Sequence, residues 1–478
     1  TGKGGVAIIS GESGAGKTFL AIEGATLAGH LRVGLITGEC LPMDADGDSV
    51  IDVFGAPLHP FRKFLQLCAD RARQRGIEYS EALLGAHSRI LAPYEPALLE
   101  TPSYAAHPAP EVLPAELARS RIVAALRATI AAWAKAEGPT VLMLDDLQWV
   151  DELSFAAISS LDADFLAENP VLFICTWRSD EIGPAHKQFA AQPHVELIEL
   201  QRLNSGAVGE MVGDMLAMAT PPSELVDFLA RETEGNPFFV AEYLRMAVAE
   251  QLLQRKAGKW TIANEGSVQR LPSPGSLANL VSRRLGSLSR AATQVIEVAA
   301  VLGRHVRSTT LLGALTLPDA DAAIAELETK LVLEAEAEGW RFVHDKLREA
   351  AFVRVPADRR IKLHRAAAEA LEVERTKVSP DAFEWGALAY HWKEAKEPSR
   401  AVVAYGKAGD QALGNFSNRE AREAYTAALE LSTLAGASEL DRARWEAGMA
   451  DACLLSGETK LGMDHARRAL CHAGFPLP

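Results

Sequence analysis

Short apolar runs alternate with longer amphipathic stretches over the first two hundred residues, and that alternation predicts a parallel sheet with crossover helices. The predicted strands run Val6 to Ser10, Arg32 to Thr37, Thr140 to Asp145, Val171 to Thr176 and Val195 to Leu200. Between the second and third lies an insertion from about Gly38 to Ala118, with an acidic stretch at Asp44 to Asp48 and prolines from Pro93 to Pro114. It reads as helix mixed with mobile loop. From about Leu203 the strand signal fades. Ser223 to Glu234 and Phe238 to Gln254 read as helices on either side of the turn Gly235-Asn236-Pro237, a small helical lid. Leu271 to Val355 reads as two or three helices followed by two β-like segments, Leu331 to Ala335 and Trp340 to Val343, the order of a winged helix.

Beyond Arg359 every segment is amphipathic helix. Ala389, Ala401 and Ala408 with aromatic Trp392 and Tyr405 sit at offsets of a tetratricopeptide (TPR) unit. Ala421, Tyr425 and Ala428, then Gly457, Gly462 and Ala469, echo it loosely, and an alanine-rich helical bundle without a ligand is the alternative.

Composition narrows the field. The chain has 478 residues, enough for about three domains at ~150 residues each. Its 63 acidic against 49 basic side chains give a formal charge of -14, which repels phosphate backbones and argues against generic nucleic-acid binding. Cys40, Cys68, Cys175, Cys453 and Cys471 are scattered with neither a paired spacing nor clustered histidines. That pattern speaks against a disulfide framework and a zinc site and for a reducing, cytoplasmic setting. The longest apolar runs, such as Val171 to Trp177, fall far short of the ~20 residues that cross a bilayer. A start at Thr1 almost on a strand, and an end at Gly474 to Pro478 that interrupts a helical array, suggest a fragment of something longer.

The chemistry concentrates at three strand ends. Gly11-Glu12-Ser13-Gly14-Ala15-Gly16-Lys17-Thr18 follows the first strand and opens a helix, the context that gives GxxxxGK[ST] its meaning. The glycines let backbone N–H groups curl round a β-phosphate, the helix N-terminus adds its positive end, and Lys17 neutralises the β and γ oxygens. Phe19 continues the binding segment, and Thr18 offers a hydroxyl to magnesium. The apolar run Val141 to Leu144 ends in Asp145, the expected metal partner, and Asp146, placed to polarise an attacking water. At the end of the fourth predicted strand, Arg178 is positioned to distinguish ATP from ADP through a charge-assisted contact with the γ-phosphate.

With these motifs in order, followed by Glu234-Gly235-Asn236-Pro237-Phe238-Phe239 and Phe342-Val343-His344-Asp345, the sequence resembles the signal-transduction ATPases with numerous domains, the STAND class. That class includes NOD-like receptors, the maltose-regulon activator and cyclase-linked bacterial ATPases. The resemblance implies a P-loop ATPase domain over 1–202, a helical lid over 203–270, a winged helix over 271–358 and helical TPR-like repeats over 359–478. It further implies that Pro237 packs on adenine, that His344 touches the ADP β-phosphate, and that Asp345 orients its imidazole. Arg348 and Glu349 are expected on the following helix face. One departure stands out: members carry a Gly-Arg-Glu segment before the P-loop strand, and here only Thr1 to Gly5 precede it. Gly38-Glu39-Cys40, His59-Pro60-Phe61 and Leu413 to Leu431 look most like modules attached to nucleotide cyclases or serine/threonine kinases.

The function so implied is an ATP/ADP switch with magnesium and slow hydrolysis, controlling an effector or signalling partner, with nucleotide-dependent self-association as a further expectation. A DNA-acting ATPase that docks a winged helix through Arg283, Arg284 and Arg290 is one alternative, opposed by Glu326, Glu328, Glu334, Glu336 and Glu338 in the same region. A scaffold that binds nucleotide without turnover is the other.

Overall fold

The computed structural model describes residues 3–30, 33–40, 57–111, 113–249, 253–256, 259–262, 284–315, 317, 320–336, 338–376 and 383–475. The acidic stretch Asp44 to Asp48 and Arg283 lie outside them.

Five strands form: β1 (Gly5–Gly11), β2 (Gly34–Glu39), β3 (Thr140–Asp145), β4 (Val171–Arg178) and β5 (Val195–Glu199). They pair in parallel in the order β2-β3-β4-β1-β5. Every residue of β3 is buried, which is why it reads as a continuous apolar run rather than an alternation. The register sets Gly11 beside Arg178 and Glu39 beside Asp145. One carboxyl edge therefore carries the phosphate loop, both acids and the arginine, as open α/β sheets place their ligand sites.

Helix Lys17–His30 covers one face, setting Ala21 and Ala25 against Ile9, Val141, Met143 and Ile174. The other face is covered by helices of the insertion, Arg62–Arg75, Ile77–Leu83 and His87–Leu91, and by helix Ala115–Glu137 that follows it, with Phe64, Leu65, Cys68 and Leu98 fully buried. Phe64 meets Trp133 edge-on at 5.7 Å. The described part of the insertion is thus helix joined by turns; Asp44 to Asp48, expected in loop, fall outside the described residues.

Three helices, Ser205–Leu216, Ser223–Glu232 and Pro237–Ala249, form the lid around Val208, Leu229, Val240 and Tyr243. The turn before the third helix is dictated sterically. Gly235 has φ +73°, and a Cβ there would lie 2.0 Å from the Leu203 carbonyl oxygen, so only glycine fits. Helix was expected through Gln254; instead Leu253–Lys256 pairs antiparallel with Lys259–Ile262.

Next come helices Arg290–Leu302, Ser308–Ala314 and Asp321–Thr329 and the hairpin Leu333–Glu336 and Gly339–Phe342, then helix Asp345–Arg354. A strand that the sequence did not disclose, His305–Arg307, joins the hairpin. Three residues are too few to show a period of two. Arg284 bonds to Glu242 and to the Leu331 carbonyl.

The remaining helices, Ala357–Arg375, Trp385–Glu394, Pro398–Gly414, Asn418–Ala435, Glu439–Leu455 and Thr459–His472, pack each on the next. Ala389, Trp392, Ala401, Tyr405, Ala408, Ala421, Tyr425 and Ala428 are all buried. Small residues at these positions let the helix axes approach: Tyr425 lies wedged against Gly409 and Gly448. No described helix is long and apolar enough to cross a membrane.

Candidate functional site: a nucleotide site closed by two domains

The phosphate loop turns through Gly14 and Gly16, at φ +82° and +91°. Lys17 is buried at the start of its helix and donates from Nζ to the carbonyls of Gly11 and Glu12 at 3.0 and 2.9 Å. Burial lowers its pKa, and Arg178 pushes the same way while Asp146 and Asp145 oppose. The loop thus holds its cation over its own carbonyls, from where it reaches a bound phosphate. The Thr18 hydroxyl donates to Asp145 at 3.0–3.1 Å, so the two residues expected to hold magnesium face each other. Asp145 is pushed up to about 6 by burial and by neighbouring Asp146 and Glu39. A hydroxyl and a carboxylate facing each other are hard oxygen donors of the kind a divalent cation takes, while Asp146 and Glu39 are engaged by Arg304. Thr18 and Asp145 fit that ion.

Asp146 adopts a left-handed conformation, φ 56°, uncommon for a residue with a Cβ and a conformation that clusters at functional sites. Its amide donates to Thr176 Oγ1 at 3.0 Å, and its carboxylate accepts from Gln148 Nε2 at 3.0 Å. Gln148 in turn accepts from the Arg178 amide at 3.0 Å. A rigid frame therefore aims the second acid.

What that acid meets comes from another domain. Arg304, from the turn before strand His305–Arg307, lies 2.7 Å from Asp146 and 3.1 Å from Glu39, with its Nε 3.5 Å from Asp345. Arg178 pairs with Asp345 at 2.5 Å and Glu181 at 2.8 Å, and lies over the Trp149 ring at 4.5 Å. Burial would lift Asp345 out of the usual carboxylate range, but Arg304 and Arg178 together hold it below. Glu39 is likewise held at about 2, burial being outweighed by Arg304 and His305. His305 bridges Glu39 at 2.7 Å and Glu336 at 2.8 Å, and although burial opposes its charge, these carboxylates raise it to about 9.

The lid closes the other side. Asn236 Nδ2 donates to the Ser13 carbonyl at 3.1 Å, and the Phe238 amide to the Gly14 carbonyl at 3.3 Å. His344 stacks on Phe238 at 3.7 Å. Its Nδ1 accepts from the Lys346 amide at 3.1 Å, which places the ring proton on Nε2. Burial lowers its pKa to about 3, so it is a neutral donor. Asp345, expected to orient this imidazole, is instead engaged by Arg178 and Arg304; the orienting bond comes from the helix N-terminus. Arg348 is buried, and Glu349 pairs with Lys346 at 2.8 Å. Pro237 lines a cleft of about 410 Å³ with Ser10, Gly11, Ala15, Leu200 and Arg202. The side chain of Phe19 is 71% exposed, so only its backbone faces the loop.

Residues 1–174 match the family described as AAA ATPase domain. A curated Rhizobium meliloti protein described as uncharacterized is 26% identical over 454 residues, 90% of this chain; the chain spans 40% of that relative's length. Among solved structures, a STAND protein with a tetratricopeptide repeat sensor from Pyrococcus horikoshii is 14% identical, with TM-score 0.41, covering 99% of this chain and 75% of that one. A Walker-type ATPase of Pyrococcus abyssi is 10% identical, with TM-score 0.32 over 72% of this chain and 90% of that one.

Around the AAA domain, sequence reasoning missed Arg304, Glu39, Asn236 and Phe238 as contributors. Glu39 was legible as the last residue of a strand at the same sheet edge. Arg304 was not, since nothing in Gly303-Arg304-His305 marks it locally.

Proposed function

We propose that this chain is a STAND-class regulatory switch that holds ADP in a closed arrangement and opens on exchange for ATP, with slow hydrolysis resetting it. The observation that carries the reading is that Asp146, the residue placed to polarise water, is ion-paired with Arg304 of the winged-helix region at 2.7 Å. A carboxylate so neutralised is a poor base, which suits a state that stores nucleotide rather than turning it over.

In this reading Lys17 and the loop amides hold the phosphates, Pro237 covers adenine, and neutral His344 donates from Nε2 toward the β-phosphate. Magnesium, held by Thr18 and Asp145, would neutralise the phosphate oxygens. Arg178 is the discriminating group: a γ-phosphate competes with Asp345 for its guanidinium. Losing one buried ion pair costs about 3 kcal/mol, and moving a two-state equilibrium from 1:99 to 99:1 takes about 5.5 kcal/mol. Redirecting Arg178 and freeing Arg304 together is thus of the size required. The effector would be an attached or partner cyclase, kinase or transcription regulator.

Sedimentation velocity with ADP and then ATP, run beside phosphate release, tests the proposal. A change of shape or mass with ATP together with slow turnover is expected. Turnover with no such change would sink the switch, and assembly without turnover would favour a scaffold.

A further inference from the structure

The turn between helices Pro398–Gly414 and Asn418–Ala435 reaches back onto the AAA domain just past the catalytic acids. Phe416 packs against that domain's core, Tyr94 Oη donates to the Asn415 carbonyl at 3.4 Å, and Arg419 reaches the Val150 carbonyl at 3.5 Å. The Glu152 amide donates to Glu420 at 3.4 Å. Val150 to Glu152 directly follow the turn Leu147–Trp149, which begins at Asp146.

This dock buries polar and acidic groups. Ser417, Asn418, Glu420 and Asp151 are 0%, 4%, 4% and 4% exposed. Ser417 Oγ, Asn418 Oδ1, Glu420 Oε2 and Asp151 Oδ2 have no hydrogen-bond partner among the described residues. The other Asp151 oxygen is used by the amides of Leu58 and Ser154. Two carboxyl groups, each with one unpartnered oxygen, are thus buried on the two sides of one contact. Few charges compensate. On the repeat side, Arg419 lies 3.7 Å from Glu420 and 3.8 Å from Glu423 and is itself half exposed. On the AAA side, Glu152 is paired with Arg119, and half-buried His59 and His186 are both pushed toward the neutral form by desolvation; Tyr94 is neutral. Two ionised carboxylates in such surroundings repel and are left unsolvated.

We propose that the repeats dock on the AAA domain through a proton-linked latch, in which Glu420 enters the contact as the neutral acid facing Asp151. Seating the repeats takes one proton from solvent onto Glu420, and unseating returns it. Burial and Asp151 raise the Glu420 carboxyl to about 7 in the docked state, against an ordinary 4.5 when exposed to water. A group whose docked pKa is raised supports docking fully below the undocked value and loses that support as pH climbs to the docked one. The docking constant therefore falls about tenfold per pH unit from 4.5 to about 7 and levels off above. The latch goes beyond the nucleotide switch and does not depend on it, since seating can be read with no nucleotide present.

Hydrogen exchange of the Glu152 to Ser154 amides in the full chain, corrected for the intrinsic rate, reads the latch. In the wild type, protection should fall about tenfold between pH 5.5 and 6.5. Glu420→Gln, which keeps an acceptor but carries no charge, should show no such slope and exceed the wild type at pH 8. Arg419→Ala should weaken protection at every pH and leave the slope intact. A wild type with no slope, a Glu420→Gln protein with the wild-type slope, or one with protection lost at all pH values would each overturn the proposal. Should Glu420→Gln not fold, Asp151→Asn serves instead: it removes the neighbouring charge but leaves Glu420 buried, so the slope should persist and level off at a lower pH, and an unchanged levelling point would overturn the pairing with Asp151.

Discussion

Arg304 stands between Asp146 and Glu39, and in the proposed switch it decides whether the second acid is available for chemistry. Arg304→Ala is expected to free Asp146 and to weaken closure by about 3 kcal/mol, the cost of opening one buried ion pair. ATP turnover should then rise by at least tenfold over the wild type in a phosphate-release assay; unchanged turnover would mean that the pair does not restrain hydrolysis. His344 works from the opposite side. Stacked on Phe238 and bonded by the Lys346 amide, it offers a neutral Nε2–H whose loss removes one donor to phosphate, worth about 1.5–3 kcal/mol for a charged acceptor. His344→Ala should therefore speed release of a fluorescent ADP analogue by at least tenfold in stopped flow. Unchanged release would remove the histidine from the mechanism. Lys17, Thr18, Asp145 and Asp146 were legible as residues because their chemistry needs fixed spacing after a strand. Arg304 was not, because its role arises from where a separate domain packs.

At the scale of elements, the strand His305–Arg307 and its hairpin carry the contact to β2 through a histidine between two carboxylates. His305 is raised to about 9 against an ordinary 6.5, so it contributes its full support below 6.5 and loses it as pH rises through 9. Its side chain is 28% exposed, and with screening by solvent the effect is on the order of 2 kcal/mol. Thermal unfolding between pH 6.5 and 9.5 should show that loss, and His305→Gln should flatten it; an equal slope in the variant would assign the change elsewhere. In the array, a Cβ at Gly448 would lie 2.4 Å from Tyr425 Cζ. Gly448→Ala should lower stability by about 1–3 kcal/mol through overpacking, seen as a reduced Tm by circular dichroism. Sequence periodicity found the long array helices and the buried strands because each repeats its apolar pattern over many residues. It missed His305–Arg307, where three residues are too few to show a period.

Across the whole molecule, one sheet edge is met by three other regions: Asn236 and Phe238 at Ser13 and Gly14, Arg304 at Asp146 and Glu39, and the C-terminal helical array just past Trp149. Motif order predicted that these regions would follow one another. It did not predict that all of them converge, since convergence depends on docking angles that no local pattern encodes. In the proposed switch, a site closed on several sides would retain a bound nucleotide through purification, because release would require those contacts to part together. Denaturing freshly purified protein and chromatographing the supernatant tests this most directly. The account predicts ADP, approaching one equivalent per chain. Protein that carries ATP instead, or that comes away empty and then fails to bind ADP with magnesium, would contradict it.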